Sequence, residues 1–535
     1  MRHWFWILMI TLGLHAQDAR IQILGTTDMH GHVMAEDTFN LQPMNQGWAK
    51  VTTLIRRQQG LNPNTILVDC GDTLQGEPLN YVRNVLRRDL PEPSVAIMNV
   101  LGYSAMAVGN HDYDFGLEVL REAVKQAKFP LLSANTLEAK VGTGFQPYTM
   151  VVVGGVRVAL VGFTTPGVPG MVEPDHYAGL TFQDIVSSAR KLVPRLREQE
   201  KADLVIALLH SGLGAVDGRE GDENAALRLA DQVSGLDAIF IGHTHQTIQM
   251  EHKGIPILQA QPFGRSLAVL DLDLRQEKGR WRVMAKSGRL VMPDDSTPSD
   301  PEVLRLTADL RSATERYLDT AATNLLVDLD SRWSRMEDTP LMQLIHQVQR
   351  QATGAQLSAA ASPGPRLFIP KGPTSVRQFY ALAPYESQVA KIRITGDQLK
   401  RYLEHGARHY LLSWQPELYN REVPFYNFDM VDGVSYTLDL GKPVGGRVRS
   451  LSYLGQPVKP EQSFTLAITT YRLRGGGGYM AAIGYTGVPD MITRASQRNL
   501  ILDHVLTRPT LNPAPTNTWR TVPFLDRERV LNLAR

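Results

Sequence analysis

Aspartate, histidine and asparagine residues recur in this sequence directly after short apolar runs. The runs begin at Ile21, Thr65, Ala105, Leu204 and Ala238, and each has the length of a buried strand closed by a glycine-containing turn. Active sites of open α/β sheets lie at the carboxyl edge of the strands. The pattern therefore predicts that polar side chains from all these runs meet at such an edge. The runs contribute Asp28, His30, Asp72, Asn110, His210, His243 and His245.

These residue types are metal ligands. A mixture of imidazole nitrogens with carboxylate and amide oxygens suits Zn, Mn, Fe or Co. Asp72 follows Gly71, whose missing side chain permits a sharp turn, and its two carboxylate oxygens make it the candidate bridge between two cations. Each residue alone is more often a helix cap or a satisfied core residue. Together and in this order, they predict a site for two divalent metal ions.

The elements that must position these residues form a mixed α/β domain over residues 20–300. Prolines at positions 293, 298 and 301 end its pattern, and residues 301–323 are predicted to form a linker helix. Residues 324–535 then form a second domain. Within the first domain the sequence predicts helices from Val51 to Gln59 and from Leu117 to Ala127, and a hairpin from Thr149 to Thr165 that turns at Gly154-Gly155.

Composition sets the broad class. The chain has 535 residues, of which 43% are hydrophobic and 21% charged, so it is globular and too long for a single core. Its net charge of +2 gives no reason to expect a polymeric nucleic acid as partner. Cys70 is the only cysteine, which excludes an intramolecular disulfide. We expect Cys70 to be a small buried hydrophobe, with thiolate ligation of a metal as the alternative.

The first 16 residues are interpreted as a signal peptide. Arg2 and His3 precede an apolar stretch from Trp4 to Leu14, and the small Ala16 suits the last position before cleavage. The stretch is shorter than the roughly 20 apolar residues that span a bilayer. We therefore expect a periplasmic or otherwise exported protein with no stable membrane association after cleavage. An uncleaved N-terminal anchor is the alternative.

The motifs T-D-x-H-G, G-D, G-N-H-D-x-D and G-H-T-H, in this order, resemble those of the 5′-nucleotidase family of calcineurin-like metallophosphoesterases. The resemblance implies an α/β fold: an N-terminal four-layer α/β metallophosphoesterase sandwich and a C-terminal α+β substrate domain of the 5′-nucleotidase type. We expect a monomer. By the same resemblance, the first metal would be held by Asp28, His30, Asp72 and His245, and the second by Asp72, Asn110, His210 and His243.

His111 and Asp114 are the predicted catalytic pair. By the family pattern His111 points at the substrate, and Asp114 is placed to orient its imidazole. Two divalent ions would activate a water, and the resulting hydroxide would attack phosphorus in line with the leaving alcohol. Protonated His111 would stabilise the phosphoryl oxygens or donate to the leaving oxygen. The alternative is that His111 only supports a neighbouring ligand.

The C-terminal half most resembles the branch of the family that hydrolyses 2′,3′-cyclic nucleotides and 3′-nucleotides. The N-G-G-G-I-R run of the 5′-nucleotidase branch is absent from residues 358–373, which disfavours 5′-monophosphates. Tyr479 follows the run Gly475 to Gly478 and, with Tyr426 or Phe428, is predicted to sandwich the base. Core packing is the alternative for these aromatic residues.

These observations predict an exported dinuclear metallophosphoesterase that converts 2′,3′-cyclic nucleotides to 3′-nucleotides and then to nucleosides and phosphate. A 5′-nucleotidase is one alternative. The others are a hydrolase of the sulfur-oxidation type, which a relative of the family exemplifies, and a non-catalytic surface binding module.

Overall fold

The computed structural model describes residues 17–140, 142–217, 222–383, 385–415, 417–523 and 525. The predicted signal peptide lies outside the described residues. Within these ranges no helix is long and apolar enough to cross a membrane.

Two six-stranded sheets form the described framework of the N-terminal domain. The first has the order β14-β13-β1-β2-β3-β4 and the second β11-β12-β10-β9-β7-β6. A separate strand pair joins β5 and β8. The strands are β1 (Asp18–Thr26), β2 (Thr65–Asp69), β3 (Ala105–Ala107), β4 (Leu131–Leu132), β5 (Thr136–Glu138), β6 (Tyr148–Val153), β7 (Val156–Thr164), β8 (Leu180–Phe182), β9 (Leu204–His210), β10 (Ala238–Ile241), β11 (Ile248–His252), β12 (Ile255–Gln259), β13 (Leu267–Glu277) and β14 (Arg280–Val291).

Four layers result from the way these sheets pack. Buried side chains such as Ile23 of β1 and Ile206 of β9 meet in one apolar layer between the sheets, while two further clusters join each sheet to helices on its outer face. This confirms the predicted four-layer α/β sandwich. The helices are α1 (Gly47–Leu61), α2 (Pro78–Tyr81), α3 (Pro93–Leu101), α4 (Gly116–Gln126), α5 (Val168–Met171), α6 (Ile185–Glu198) and α7 (Ala226–Gln232).

The central strands of both sheets are parallel, which fixes where the chemistry lies. β1, β2 and β3 run in the same direction, as do β7, β9 and β10. Their carboxyl ends therefore share an edge of the sandwich, as predicted from the five apolar runs. The hairpin β6–β7 and the helices α1 and α4 also confirm the sequence prediction, since their bounds enclose or lie within one residue of the predicted ones. Cys70 is buried after β2.

The linker differs from the single helix that was predicted. It consists of α8 (Pro301–Leu306) and α9 (Ala308–Leu318), separated at Thr307. Thr307 leaves the helical region at φ −104° and ψ 1°, and its hydroxyl donates to the carbonyl oxygen of Val303 at 2.8 Å. A threonine hydroxyl that bonds the preceding turn competes with the helical backbone, which is consistent with a break at this position.

The second domain is α+β. In its described residues a five-stranded sheet, β21-β17-β25-β20-β26, packs with α10 and α12 around one large apolar cluster. Its helices are α10 (Pro340–Thr353), α11 (Val376–Tyr380), α12 (Gly396–Gly406), α13 (Thr470–Leu473), α14 (Tyr479–Ile483) and α15 (Gln497–Leu506). Its strands are β15 (Ala321–Leu325), β16 (Leu329–Asp330), β17 (Leu357–Ala361), β18 (Phe368–Ile369), β19 (Gly372–Ser375), β20 (Gln388–Thr395), β21 (Asp429–Asp432), β22 (Ser435–Asp439), β23 (Val448–Tyr453), β24 (Gln456–Pro457), β25 (Ser463–Thr469), β26 (Met491–Ser496), β27 (Thr510–Leu511) and β28 (Trp519–Val522).

Polar contacts join the two domains near α13 of the second domain. Glu173 of the first domain accepts a hydrogen bond from the Thr470 hydroxyl at 2.8 Å and pairs with Arg474 of the second. Arg377 donates to the carbonyl oxygen of Thr38 at 2.7 Å. Because Glu173 and Arg377 are buried, salt screens these contacts less than it screens exposed pairs.

Candidate active site

The first set of metal donors lies at the ends of β1 and β10. One ligand atom each from Asp28, His30 and His245 lies within 4.8 Å of the other two. The Nε2 atoms of His30 and His245 are 3.1 Å apart, and His245 Nε2 is 3.5 Å from Asp28 Oδ1. The structure thus brings together three of the four residues assigned to the first ion.

The second set lies beside it. Asp72, His210 and His243 form a group of the same kind. His210 Nε2 is 3.1 Å from Asp72 Oδ2 and 3.0 Å from Asn110 Oδ1. All four residues assigned to the second ion are therefore close to one another.

Asp72 faces both sets. Its Oδ2 atom is 3.8 Å from His30 Nε2 in the first set and 3.1 Å from His210 Nε2 in the second. Its Oδ1 atom accepts a hydrogen bond from the backbone N–H of His111 at 2.7 Å. One carboxylate oxygen is therefore positioned between the two donor groups, as expected for a bridging ligand.

The hydrogen bonds of the imidazoles show that this donor set fits divalent cations. His30 Nδ1 faces the carbonyl oxygen of Gln75 at 2.8 Å, and His210 Nδ1 faces that of Cys70 at 2.7 Å. Each Nδ1 carries a proton, so Nε2 is the nitrogen that each ring turns to the site. Burial lowers the pKa of His30 to about 3, which favours its neutral form. Burial also lowers the pKa of His210, but Asp72 raises it to about 9, so a cation at this site would replace the proton that Asp72 stabilises on His210. Nitrogen and oxygen donors thus converge, as metal binding requires.

The backbone around the donors is held in an uncommon conformation. Asp28, His30, Asp72, His243 and His245 all have positive φ angles, between 45° and 77°. Residues other than glycine adopt this region at a cost, and such positions cluster at functional sites. Close packing supports the loops, because a Cβ on Gly109 would lie 2.2 Å from Asp72 Oδ1.

Asp112 organises two of these loops, and sequence reasoning did not single it out. Its buried carboxylate accepts backbone N–H groups from Asp72 at 3.1 Å, Thr73 at 2.8 Å, Leu74 at 3.0 Å and Gly109 at 2.8 Å. The loop after β2 is thereby tied to the loop after β3. Asp112 lies inside the motif G-N-H-D-x-D, between the predicted site residues His111 and Asp114, and this position is the sequence signal that could have identified it.

His111 and Asp114 are paired as predicted. His111 Nδ1 is 2.9 Å from Asp114 Oδ2, so Nε2 is the ring nitrogen left for the cleft. Burial alone would lower the pKa of His111, but Asp114 and then Asp72 raise it to about 10. The imidazole is therefore held in its protonated form by two carboxylates, one of which is the shared donor.

Glu223 is a further residue that the sequence did not reveal. Its Oε1 atom is 2.9 Å from His243 Nε2, on the loop that follows β9. A carboxylate that binds one nitrogen of a ligand histidine orients the ring and fixes its tautomer. Nothing in the local sequence distinguishes Glu223 from the other acidic residues of this polar loop.

The structure contradicts the stacking role predicted for Tyr479 and Phe428. They are 0% and 1% exposed, so neither has a face for a base. The Tyr479 hydroxyl donates to the carbonyl oxygen of Asn427 at 2.7 Å and accepts from the N–H of Asp429 at 2.9 Å. Phe428 stacks on His409. Both belong to the core of the second domain, whereas Tyr426 is 51% exposed.

Two other tyrosines, the exposed Tyr385 and the half-buried Tyr471, lie near the predicted site residues. Tyr385 is 55% exposed, and its ring stacks 5.9 Å from that of His111. Tyr471 packs flat on the glycine run, since a Cβ on Gly476 would lie 2.5 Å from its ring. Burial raises the pKa of Tyr385, and the phenols of Tyr426 and Tyr471 raise it further. No sequence pattern distinguished Tyr385 or Tyr471 from core tyrosines.

Comparison with known families identifies the class. The model of the calcineurin-like phosphoesterases matches residues 21–247, and that of the 5′-nucleotidase C-terminal domain matches residues 318–483. The first range contains every predicted metal donor and the pair His111 and Asp114. The fold and the donor groups thus define a metal-dependent phosphoesterase with a second domain of the 5′-nucleotidase type.

Several individual proteins of this class are similar to the chain over most of its length. The chain is 28% identical to the trifunctional nucleotide phosphoesterase protein YfkN of Bacillus subtilis, over 97% of this chain and 40% of that protein. It is also 28% identical to a 2′,3′-cyclic-nucleotide 2′-phosphodiesterase/3′-nucleotidase of Haemophilus influenzae, over 96% of this chain and 89% of that protein. The structure of a putative 5′-nucleotidase from Staphylococcus aureus superposes with a TM-score of 0.82 at 21% identity, covering 94% of this chain and 100% of that one. The chain belongs to the 5′-nucleotidase family of calcineurin-like metallophosphoesterases.

Proposed function

We propose that this enzyme hydrolyses 2′,3′-cyclic nucleotides to 3′-nucleotides and then releases phosphate to leave nucleosides. The observation that carries the proposal is the position of Asp72, whose Oδ2 atom faces His30 at 3.8 Å and His210 at 3.1 Å. A carboxylate shared in this way is the arrangement that a two-metal phosphoesterase needs. The substrate class is supported by the three relatives that carry this activity in their names, at 26–28% identity.

Two divalent ions would be held by the two donor groups. They would supply an activated water and neutralise charge on the phosphoryl oxygens when bound. The first would be held by Asp28, His30, Asp72 and His245, and the second by Asp72, Asn110, His210 and His243.

His111 is proposed to move the proton. Asp114 holds the Nδ1 proton at 2.9 Å, so the Nε2 proton is the one available to the substrate. As water oxygen bonds to phosphorus, the P–O bond to the ribose breaks and its oxygen takes that proton. In the first reaction the leaving oxygen is O2′, and in the second it is O3′. Both reactions place one phosphorus at the same point.

The exposed Tyr385 and Tyr426 and the half-buried Tyr471 are proposed to bind the nucleoside. Tyr426 and Tyr471 both raise the pKa of Tyr385, whose ring stacks on that of His111. A base held on an aromatic face gains about 1–3 kcal/mol whatever its identity. We therefore propose Tyr426 with Tyr471 or Tyr385 as the base-binding residues, in place of Tyr479 and Phe428.

We further propose that the mature protein is an exported monomer. The interpretation of residues 1–16 as a signal peptide supports export. Size-exclusion chromatography with light scattering tests the monomer, and fractionation of cells expressing the full chain tests the export.

The proposed activity is tested with the purified protein and 2′,3′-cAMP, 3′-AMP and 5′-AMP, each with Mn²⁺ or Zn²⁺ and with a chelator. We expect metal-dependent release of phosphate and adenosine from the first two and slow turnover of the third. Fast turnover of 5′-AMP would instead indicate a 5′-nucleotidase. No turnover of any nucleotide by metal-loaded protein would favour the sulfur-hydrolase or binding-module alternatives.

A further inference from the structure

Arg335 is a buried arginine whose guanidinium has no carboxylate partner among the described residues. It precedes α10 in the second domain and is 7% exposed. Within the described part of the chain, its guanidinium makes no hydrogen bond or ion pair, and its Nε atom is buried without a partner. Removing a charged group from water is costly unless an opposite charge or hydrogen bonds compensate.

The other buried arginines of the described chain show how this fold normally compensates such a charge. Four of them pair with a carboxylate, and Arg447 donates to three backbone carbonyl oxygens. Every other buried arginine in the described residues thus has carboxylate or carbonyl oxygens as partners, and Arg335 differs from them in having neither. The carboxylate partners are Glu122 for Arg83, Glu315 for Arg377, Asp429 for Arg472 and Glu386 for Arg498.

Arg335 lies against an aromatic ring. Two further buried polar atoms near it have no hydrogen-bond partner among the described residues. The Arg335 guanidinium lies 4.3 Å from the centre of the Tyr419 ring, and Tyr419 stacks 4.8 Å from His409. The Tyr419 hydroxyl and His409 Nε2 are both buried without a partner in the described part of the chain. The cation–π contact recovers only part of the cost of burying the charge, because an aromatic face is a weaker partner than an anion.

His409 turns a second nitrogen toward the same buried region. His409 Nδ1 lies 2.8 Å from the carbonyl oxygen of Val423 and donates to it. Burial lowers the pKa of His409 to about 4, so Nε2 is unprotonated beside the guanidinium. A bound anion would stabilise the protonated ring, whose Nε2–H would then become a donor.

We propose that Arg335, with Tyr419 and His409, binds a small oxyanion, namely a carboxylate, phosphate or sulfate group. The planar fork of an arginine recognises two oxygens of such a group at once, which a point charge does not. The site lies within the second domain. It adjoins the turn that carries Tyr426, because the ring of His409 stacks on that of Phe428 at 5.4 Å. It is separate from the metal donors and does not depend on the proposed function.

The test compares thermal unfolding of the metal-loaded protein with and without potassium sulfate, for the wild type and for Arg335→Met. Methionine keeps the apolar stem and removes the charge. We expect sulfate to raise Tm by roughly 3 °C more in the wild type than in R335M. Without sulfate, R335M should be at least as stable as the wild type. General salt effects, and sulfate bound elsewhere, affect both proteins alike.

Arg350→Met is the matched control, since Arg350 already pairs with Asp432 at 2.8 Å. R350M should keep the full response to sulfate. Calorimetric titration of sulfate into wild type and R335M gives a second readout that does not require equal stability, and only the wild type should show the Arg335-dependent binding. Equal sulfate responses in the two proteins, or an R335M that is destabilised equally with and without sulfate, would overturn the proposal. Repeating the titration with acetate and phosphate identifies the preferred oxyanion.

Discussion

At the scale of single residues, Asp72 is the centre of the site. Its Oδ2 atom faces both donor groups, while Oδ1 holds the backbone of His111 at 2.7 Å. The same side chain thus contacts both donor groups and the histidine proposed to be catalytic.

Asp72→Asn should lower kcat by roughly 10³-fold or more, because the neutral amide is a poorer ligand and cannot bridge two cations as a carboxylate does. Phosphate release and metal content per protein are the measurements, and both should fall. Asp231→Asn serves as the control, since Asp231 pairs with His252 and Lys253 away from the site. A D72N enzyme that retains full activity and two metals would contradict the bridging role.

Asp114→Asn separates orientation of His111 from metal binding. The amide still fills the space, but it no longer stabilises the protonated imidazole that Asp114 holds at 2.9 Å. We expect kcat to fall by roughly 10²-fold with metal content unchanged, in the range typical of general acid–base catalysis. Elemental analysis of the variant beside its kinetics makes the distinction. Loss of metal together with activity would show that the pair supports the ligands instead.

At the scale of elements, Arg472 connects the two segments that carry Tyr426 and Tyr471. It pairs with Asp429 through two bonds of 2.8 and 2.9 Å, and its Nη1 atom donates to Asn427 at 2.9 Å and to the carbonyl oxygen of Gly476 at 3.1 Å. Its guanidinium also lies 5.2 Å from the Tyr471 ring. One buried cation therefore sets the distance between the turn at Tyr426 and the segment at Tyr471.

Arg472→Lys keeps the charge but loses the fork that joins these segments. We expect KM for 2′,3′-cAMP and 3′-AMP to rise roughly 10-fold, which corresponds to the loss of about one base-stacking contact. Hydrolysis of bis(p-nitrophenyl) phosphate, which has no base, should change little. If KM rose equally for both kinds of substrate, Arg472 would stabilise the fold and have no particular role in binding the base.

The strand ends were predictable because their signals are local. An apolar run followed by glycine and a metal-binding side chain identifies both the strand and its functional end, as at Asp28 and His210. The role of Tyr479 was not predictable, because burial depends on distant residues: its hydroxyl bonds to Asn427 and Asp429. The role of Glu223 was not predictable either, because it depends on the contact with His243, which is distant in the sequence. The break at Thr307 was missed because neither glycine nor proline marks it, and it depends on the bond of the Thr307 hydroxyl to the carbonyl oxygen of Val303.

At the scale of the whole molecule, the cleft is defined by how the two domains meet. Glu173 bonds to Thr470 and Arg474, directly beside the segment that carries Tyr471. The two proposed reactions require the ribose to shift, because the leaving oxygen changes from O2′ to O3′. We predict that movement of the second domain on the linker α8–α9 permits that shift.

A crosslink between the thiols introduced by Glu173→Cys and Arg474→Cys tests the movement. The crosslinked enzyme should open 2′,3′-cAMP but accumulate 3′-AMP, because the second reaction needs the nucleoside in another position. Chromatography of the products measures the ratio, and the uncrosslinked double variant is the control. The native Cys70 is buried and should not react. Undiminished release of adenosine by the crosslinked protein would exclude the movement.

All the proposed metal donors lie between residues 28 and 245, and the strands that complete their two sheets end at Val291. The scaffold of the proposed metal centre therefore belongs to the N-terminal domain alone, whereas the tyrosines proposed to hold the nucleoside belong to the second domain. Substitutions in the second domain can thus change which substrate is chosen while the metal donors stay as they are.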